Sequence, residues 1–339
     1  MKEEAGYSSF SLVLLRWFGE NGRQLPWRGT RDAYAIWLSE IILQQTRVQQ
    51  GWHYWERFVQ RWPTVEALAQ ATEDEVLRLW QGLGYYSRAR NLHFAARQVV
   101  QMGGFPRTFQ GLRKLKGVGD YTAAAIASMA FDEPVAVVDG NVYRVLSRHF
   151  GIATPINSTE GKKEFAALAQ QLLPAPEAAV YNQAIMDFGA MQCTPQSPRC
   201  AECPLIESCV AFREGRVGQL PVKLKTLKVQ ERHLIYIYVR CLGQTAIRRR
   251  GEGDIWQGLW EPVLVEHGEL EVESLPLVPI KLGVRHVLTH RVLTCDFYLW
   301  QPDAKPQLPE GYVWIDEADM DRYALPRLIE KLLTLLPIR

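Results

Sequence analysis

At residues 115–119 the chain reads Leu115-Lys116-Gly117-Val118-Gly119, just before the small-residue segment Thr122–Ala127. Two glycines around an apolar residue let the backbone turn tightly, and they expose N–H groups at the start of the next helix. Such a turn binds phosphate oxygens through its backbone and needs no particular side chain. Lys114 and Lys116 favour this interpretation, although a plain helix–helix turn without a ligand has the same pattern.

The sequence on both sides of this turn has helical periodicity, from about Tyr7 to Phe212. Apolar residues recur at three- and four-residue spacing, and frequent Pro and Gly between them predict many short helices joined by tight turns. Thr72 followed by Glu75 predicts a capping box. The clearest helical segments are Tyr34–Arg47, Val65–Ala69, Glu73–Trp80 and Ala89–Val100.

The pattern changes after Cys209. The polar stretch from Glu214 to Lys228 contains several lysines and is typical of a linker. Beyond it, Leu234–Val239 and Thr294–Trp300 have the β-branched and aromatic composition of strands. Ala324–Leu336 predicts a closing helix. We therefore predict a mainly α N-terminal region followed by a smaller α+β domain. The predicted parts are a helical domain 1–213, a linker 214–228 and a C-terminal domain 229–339.

Composition excludes several classes of protein. A chain of 339 residues with 47% hydrophobic residues is globular and long enough for two domains. It has no apolar run long enough to span a membrane and no apolar segment at its acidic N-terminus, so we expect neither a membrane protein nor a secreted one. Residues 1–225 hold 25 Lys and Arg against 21 Asp and Glu, a net charge of +4. This mildly basic region permits a polyanionic partner.

Four cysteines, Cys193, Cys200, Cys203 and Cys209, follow a C-x6-C-x2-C-x5-C spacing. Four thiolates this close in sequence can converge on one metal centre in a reducing compartment. Zinc sites with four thiolates usually pair close C-x2-4-C knuckles, whereas only the middle pair is close here. The spacing therefore favours an iron–sulfur cluster, with zinc as the alternative. Cys241 and Cys295 lie in the strand-rich region and are expected in its core.

Two carboxylates stand out from their surroundings. Glu40 lies in an apolar segment, and helical spacing would place it on one side with Gln44 and Arg47. A glutamate among Leu and Ile has a raised pKa and suits a general acid, whereas a solvent-facing glutamate on a polar stripe is the alternative. Asp139 follows an apolar run and precedes Gly140-Asn141, which is also the position of an ordinary helix N-cap.

Together these features resemble the iron–sulfur branch of the helix–hairpin–helix DNA glycosylases. This superfamily combines an L-x-G-V-G hairpin with a later aspartate and, in one branch, this cysteine spacing. Within it the chain resembles the MutY family of adenine DNA glycosylases over nearly all of residues 7–212. The resemblance implies two helical subdomains with an iron–sulfur cluster loop. The matching stretches are Leu25-Pro26-Trp27-Arg28, Leu38-Ser39-Glu40, Leu43-Gln44-Gln45-Thr46, Gly82–Arg88, Val138–Val142 and Met186–Ala190.

The resemblance implies excision of adenine mispaired with 8-oxoguanine or guanine in double-stranded DNA, by a monomer with one 4Fe–4S cluster. Glu40 matches the general acid that protonates adenine, and Asp139 matches the carboxylate that stabilises the cationic sugar. Asn141 and Tyr121 match the residues that orient this centre. One protonated and one ionised carboxyl group also suit cleavage of a glycosidic bond on chemical grounds alone.

Other positions match the family's contacts to DNA. Gln45 and Tyr85 resemble its intercalating residues, with Gln44 beside them, and Gly117 and Gly119 form the hairpin. The remaining matches, Trp27, Arg28, Leu43 and Gln183, resemble the lining of the adenine pocket. A DNA repair enzyme of this kind is expected in the bacterial cytoplasm, associated with the nucleoid.

Position 121 separates two types of glycosylase. Those that also cut the strand carry a lysine two residues after the second hairpin glycine, where it acts as a Schiff-base nucleophile. Here that position holds Tyr121. A phenol cannot form an imine, so a monofunctional enzyme is predicted.

Gly253–Glu261 resembles the start of the MutT-like (Nudix-like) domain at the C-terminus of this family. The R-E-x-x-E-E-x-G signature is missing from the sequence, so pyrophosphatase chemistry is not expected. The family reads 8-oxoguanine through a Phe-Ser-His loop, where this chain has Leu288-Thr289-His290. Thr289 keeps the hydroxyl but Leu288 replaces the aromatic ring, so weaker discrimination of the lesion is expected. Arg248-Arg249-Arg250 is expected to be a solvated turn.

Two other functions fit parts of the sequence. An endonuclease III-like lyase for oxidised pyrimidines would share the hairpin and the cluster, but Tyr121 and the long C-terminal domain argue against it. A DNA-binding iron–sulfur redox sensor without catalysis would need neither Glu40 nor Asp139.

Overall fold

The computed structural model describes residues 7–225, 229–265 and 275–337. The chain forms two compact units, and each is built from two separate stretches of sequence. The first contains Met1–Ala69 and Phe94–Lys225, and the second contains Gln70–His93 and Thr226–Arg339. The division at 213 and 228 stays a prediction, and residues 226–228 of the predicted linker lie outside the described residues.

Short helices joined by tight turns make up most of the chain before Glu214, as the periodicity predicted. Helix α5 belongs to the second unit, and α6 begins there and ends in the first unit. The helices are α1 (Ser9–Asn21), α2 (Ala33–Leu43), α3 (Val48–Arg61), α4 (Val65–Gln70), α5 (Glu73–Trp80), α6 (Ser87–Gln101), α7 (Phe109–Leu112), α8 (Asp120–Phe131), α9 (Gly140–Phe150), α10 (Thr159–Leu172), α11 (Ala178–Met191) and α12 (Val210–Arg213).

A hydrophobic core of the first unit lies where α1, α8, α9, α10 and α11 meet. Phe165 and Phe188 are among its largest buried side chains. Both ends of α9 follow from its sequence, because Asp139 accepts hydrogen bonds from the first N–H groups and Gly151 ends the helix in a left-handed conformation. The predicted capping box at Thr72 and Glu75 is present at the start of α5.

One predicted helix is shorter than expected. Helix α2 ends at Leu43, because Gln44 leaves helical geometry and Gln45 adopts a positive φ of 57°. Arg47 is the residue before α3. The expectation that Glu40, Gln44 and Arg47 share one side of a single helix is therefore wrong.

The second unit is built on a mixed sheet. Its central strand β1 pairs in parallel with β6 and antiparallel with β4, and β6 pairs antiparallel with β5. The far end of β1 pairs with β2, which also pairs with β3 and β7. The strands are β1 (Gln230–Cys241), β2 (Gln244–Arg249), β3 (Trp260–Glu261), β4 (Val263–Val265), β5 (Val278–Val287), β6 (Arg291–Trp300) and β7 (Tyr312–Asp316).

The closing helix, α13 (Arg327–Leu333), is shorter than predicted and buries its apolar face on this sheet. Cys241 and Cys295 are buried, as expected. No helix among the described residues is long and apolar enough to cross a membrane.

The arginine run in this unit is not a solvated turn, so that expectation is wrong. Arg248 and Arg250 both pair with the buried Glu261. Arg249 pairs with Glu73 and Asp74 at 2.8 and 3.2 Å. Arg248 and Arg250 are used inside the second unit because a carboxylate as buried as Glu261 needs compensating charge.

Candidate active site

A cleft of about 1030 Å³ in the first unit brings together residues that are far apart in sequence. It lies among α2, α8, α9 and α11, and Arg23, Arg144 and Met186 also line it. All four predicted catalytic residues and all four predicted adenine-pocket residues meet here. The predicted residues in its lining are Trp27, Arg28, Glu40, Leu43, Gln44, Gln45, Tyr121, Asp139, Asn141 and Gln183.

Glu40 is held at the bottom of this cleft by Tyr121. It is 9% exposed, and Tyr121 Oη donates to Glu40 Oε2 at 2.5 Å. Burial raises the pKa of Glu40 to about 7; the Tyr121 hydrogen bond and Arg28 oppose this rise, whereas the charge of Asp139 adds to it. Glu40 is therefore a carboxyl group that can give up or accept a proton near neutral pH.

Asp139 is the N-cap of α9, so the ordinary structural role weighed from its sequence is real. Its Oδ1 accepts from the N–H groups of Asn141 and Val142 at 2.9 and 2.8 Å, and its Oδ2 accepts from Asn141 Nδ2 at 2.7 Å. Burial raises the pKa of Asp139, while these hydrogen bonds and Arg144 oppose the rise. The cap fixes the carboxylate in place at the wall of the cleft.

Arg144 is a site residue that sequence reasoning missed. Its Nη2 donates to Asn141 Oδ1 at 2.8 Å, and its Nε donates to the carbonyl of Cys193 at 2.7 Å. Asn141 is thereby oriented toward Asp139, and the first cysteine of the predicted cluster loop is tied to the same network. The spacing of three residues between Asn141 and Arg144 on one helix was the available signal.

Arg28 is anchored by Asp187, a second residue whose role was missed. Two nitrogens of Arg28 donate to the two carboxylate oxygens of Asp187, each at 2.7 Å. Burial opposes ionisation of Asp187, but hydrogen bonds from Arg28 and Arg23 outweigh it and hold its pKa below the ordinary value. This bidentate pair fixes the Arg28 guanidinium at the cleft wall.

Aromatic packing fixes Trp27, another residue of the predicted adenine pocket. Its ring lies 5.4 Å from Trp55 and 5.9 Å from Trp52, measured between centroids. Trp55 Nε1 donates to the carbonyl of Ala35 at 3.0 Å, so the ring packing is tied to α2.

The two predicted intercalating residues share an unusual backbone. Gln45 in the first unit has a φ of 57°, and Tyr85 in the second unit has a φ of 47°. Left-handed conformations are costly for residues other than Gly and often occur at functional sites. Gln44, next to Gln45, donates from Nε2 to Thr122 Oγ1 at 3.2 Å.

The predicted hairpin joins α7 to α8. Gly117 has a φ of 76°, and Gly119 is the N-cap of α8 with a φ of −90°. Val118 between them is buried, whereas both glycines are exposed. Neither glycine lines the cleft of the first unit.

The remaining predicted residues line a separate cavity of about 580 Å³ in the second unit. Leu288, Thr289 and His290 form the turn between β5 and β6. The hydroxyl groups of Thr289 and Tyr85 share a hydrogen bond of 2.6 Å. Tyr85, which is predicted to intercalate, is thus hydrogen-bonded to the turn of residues Leu288, Thr289 and His290, which is predicted to contact 8-oxoguanine and is called the lesion-reading turn below.

The four cysteines lie in the segment between α11 and α12. All four are half-buried and none forms a disulfide. Burial raises the pKa of Cys203 to about 11, and the other three thiols add to this rise. Four half-buried free thiols in one loop are a suitable donor set for an iron–sulfur cluster.

Three family models match the chain. The model of the HhH-GPD superfamily base excision DNA repair proteins matches residues 38–175. That of the iron–sulfur binding domain of endonuclease III matches residues 193–209. A NUDIX domain model matches residues 235–335.

Comparison with whole proteins settles the family. The chain is 36% identical over 254 residues to the adenine DNA glycosylase of Buchnera aphidicola subsp. Schizaphis graminum (strain Sg), with 74% of this chain and 73% of that protein covered. It belongs to the adenine DNA glycosylase family. The adenine DNA glycosylase of Mus musculus is 46% identical over 227 residues, but the chain spans only 44% of its length.

Comparison with solved structures confirms the predicted glycosylase fold over the larger part of the chain. A thermostable thymine-DNA glycosylase superposes with a TM-score of 0.57 at 31% identity, over 60% of this chain and 95% of that one. As a member of this family, the chain is a hydrolase of N-glycosyl bonds, with DNA as its partner and a 4Fe–4S cluster as its cofactor.

Proposed function

We propose that this enzyme excises adenine lying opposite 8-oxoguanine or guanine in double-stranded DNA, and that it acts as a monomer and leaves the strand intact. The observation that carries the proposal is a pair of carboxyl groups, Glu40 and Asp139, that line one cleft, where burial raises the pKa of Glu40 to about 7.

Glu40 supplies the proton. Near neutral pH a large share of Glu40 is protonated, and it passes its proton to N7 of the flipped adenine. The bond between the sugar C1′ and adenine N9 then breaks, and its electron pair leaves with the neutral base. Water adds to C1′ and returns a proton to the Glu40 carboxylate, which restores the enzyme.

Asp139 stabilises the positive charge that develops on the sugar. Because Asn141 and the start of α9 already hold this carboxylate, it needs no rearrangement when the charge appears. Tyr121 orients Glu40 through its hydrogen bond. A tyrosine at position 121 cannot form a Schiff base with the sugar, so no strand cleavage follows base release.

Other residues bring the base to this centre. Gln45 and Tyr85, assisted by Gln44, wedge into the duplex and offset the cost of unstacking the base, which is a few kcal/mol. The flipped adenine is held by a pocket, and the hairpin of Gly117 and Gly119 binds phosphate. The pocket residues are Trp27, Arg28, Leu43 and Gln183.

The second unit reads the base opposite adenine. Thr289 supplies a hydroxyl for 8-oxoguanine, flanked by Leu288 and His290. In the first unit, Cys193, Cys200, Cys203 and Cys209 hold the 4Fe–4S cluster, which organises the loop between α11 and α12 when bound. We assign these functions to a catalytic domain 1–213 and a lesion-recognition domain 229–339, joined by the linker 214–228.

A base-release assay tests the proposal. Labelled duplexes carrying adenine opposite 8-oxoguanine, guanine or thymine are incubated with the enzyme and resolved with and without alkali. We expect breaks at adenine opposite 8-oxoguanine and guanine, only after alkali. Breaks without alkali would indicate a lyase, and intact adenine in every duplex would contradict the proposal. The purified protein should be brown and contain iron and sulfide; a colourless protein with stoichiometric zinc after anaerobic purification would contradict the cluster assignment.

A further inference from the structure

The cavity of the second unit has an aromatic wall that the predicted lesion-reading turn does not provide. Besides Tyr85 and the turn, its lining includes Trp256, His286 and Arg291. A cavity of about 580 Å³ with aromatic and polar walls is of a size that binds small planar molecules.

Leu288 has no ring with which to stack on a base. It directly follows β5, is partly buried, and packs against the apolar core between the sheet and α13. Its N–H donates to the carbonyl of Arg291 at 2.8 Å, which closes the turn. Leu288 therefore anchors the turn and lets Thr289 reach the cavity.

The backbone of Trp256 is held in an unusual conformation. It adopts a φ of 60°, a conformation that tryptophan rarely takes. Such strain persists only where the surrounding structure enforces it, and it is concentrated at functional sites. Tyr85, which lines the same cavity, is also left-handed.

The Trp256 ring is held from two sides. The Arg250 guanidinium lies over it at 5.9 Å from the ring centroid, and His286 lies beside it with centroids 6.0 Å apart. Arg250 cannot move freely, because it is buried and pairs with Glu261 and Asp254. An aromatic ring fixed this firmly loses little entropy when a ligand packs against it.

We propose that Trp256 is a substrate-binding residue, and that its ring packs against the purine opposite adenine in place of the aromatic ring that position 288 lacks. This inference rests on the proposed function and names a second contact to the opposite base. Stacking depends on the π-face that every purine has, whereas the Thr289 hydroxyl distinguishes purines by their hydrogen-bonding edge. Trp256 therefore supplies affinity for either purine, and Thr289 supplies the preference for the oxidised one.

The test measures binding in the Asp139→Asn background, so that adenine stays in place. Fluorescence anisotropy gives dissociation constants for duplexes with adenine opposite 8-oxoguanine, adenine opposite guanine, and no mispair. The variants are Trp256→Leu, which keeps apolar packing, and Trp256→Phe, which keeps a ring. Trp260→Leu is the matched control, because Trp260 packs on the same core without lining the cavity.

We expect Trp256→Leu to weaken binding to both mispairs by a similar factor of about 5 to 140, the range of stacking effects. Binding to the fully paired duplex should stay within about twofold, a change too small to reflect stacking. Trp256→Phe should restore most of the loss, and Trp260→Leu should leave the ratio of mispair to paired binding unchanged. Thr289→Val should weaken binding only to the duplex with 8-oxoguanine.

A Trp256→Leu protein that binds both mispairs like its parent would overturn the inference. So would an equal loss on all three duplexes together with a lowered Tm, since that pattern is structural. Failure of the proposed function would look different, because the wild-type enzyme would then release no adenine from either mispair.

Discussion

Carboxyl groups line the two cavities described above, but the shifts of their pKa values are opposite. In the first unit, burial dominates and raises the pKa of Glu40 to about 7. In the second unit, burial would also raise the pKa of Asp254, but hydrogen bonds from Arg232 and the Ile255 N–H, together with the charge of Arg250, lower it to about 2. The same chemical group thus has a raised pKa in one cavity and a lowered pKa in the other. We therefore expect proton transfer in the first unit and binding in the second.

The largest effect is expected when a carboxylate is neutralised in the first cavity, compared with the same change in the second. Asp139→Asn should lower the rate of adenine release by about 10³-fold or more, because it removes the charge that stabilises the sugar cation. Binding to the mispair should survive, because the second unit is untouched. Asp254→Asn, the matching change in the other cavity, should lower stability and change the rate of base release less than about tenfold. Single-turnover assays measure the rate of base release, fluorescence anisotropy measures binding to the mispair, and thermal unfolding measures stability. If Asp139→Asn released adenine at the parental rate, the assignment of catalysis to the first unit would be wrong.

A smaller decrease in the rate of base release is expected when Asp139 is kept but Arg144, which orients its partner Asn141, is removed. Arg144→Ala should lower single-turnover release by about 10- to 100-fold, since Asn141 loses the group that orients it and a small misplacement has a large effect on rate. Arg113→Ala, which removes an exposed pair with Asp120, is the control and should match the wild type. An unchanged rate in Arg144→Ala would mean that Asn141 is positioned without it.

The acidity of Glu40 predicts how the rate depends on pH. A general acid acts in its protonated form, and Glu40 is protonated below a pKa of about 7. The rate of base release should therefore fall about tenfold between about pH 6 and pH 8. Single-turnover rates across this range, with the protein checked for folding at each pH, provide the test. A rate that rises steadily through pH 8 would contradict the assignment of Glu40 as the acid.

The smallest changes, in stability and in DNA binding, are expected for the hairpin of Gly117 and Gly119, which lines neither cavity. Gly117→Ala should lower the free energy of unfolding by about 1–2 kcal/mol, because its φ of 76° strains any residue with a Cβ. Gly119→Ala should not, since its φ is −90° and nothing lies within 4 Å of an added Cβ. If the hairpin binds phosphate, both variants should bind DNA more weakly by a few fold. Denaturant unfolding and anisotropy separate the two effects, and equal stability losses would contradict the strain argument.

Much of the fold was accessible from local patterns. Helix periodicity, the Thr72 capping box and the N-cap role of Asp139 all depend on neighbours in sequence, and the structure confirms them. The end of α2 was missed because no Gly or Pro marks it; the helix stops where Gln45 turns left-handed. Strands β2, β3, β4, β5 and β7 were also missed, since they are short or only partly buried.

The site itself depended on resemblance. Spacing alone cannot show that Glu40 meets Tyr121, or that Asp187 fixes Arg28, because each pair is joined only by tertiary packing. The contact of Arg144 with Asn141 could have been predicted, because residues three apart on a helix are neighbours. The arginine run was misjudged because its partners, Glu73 and Glu261, lie in other segments of the chain.

The phenol at position 121 has a further consequence for engineering. A lysine introduced there to create a strand-cutting enzyme would place an ammonium group beside Glu40, where Tyr121 now donates its hydrogen bond. That positive charge would favour the ionised form of Glu40 and so deprive the reaction of its acid. In this cleft the two chemistries compete for one location, and converting the enzyme would also require a new source of protons.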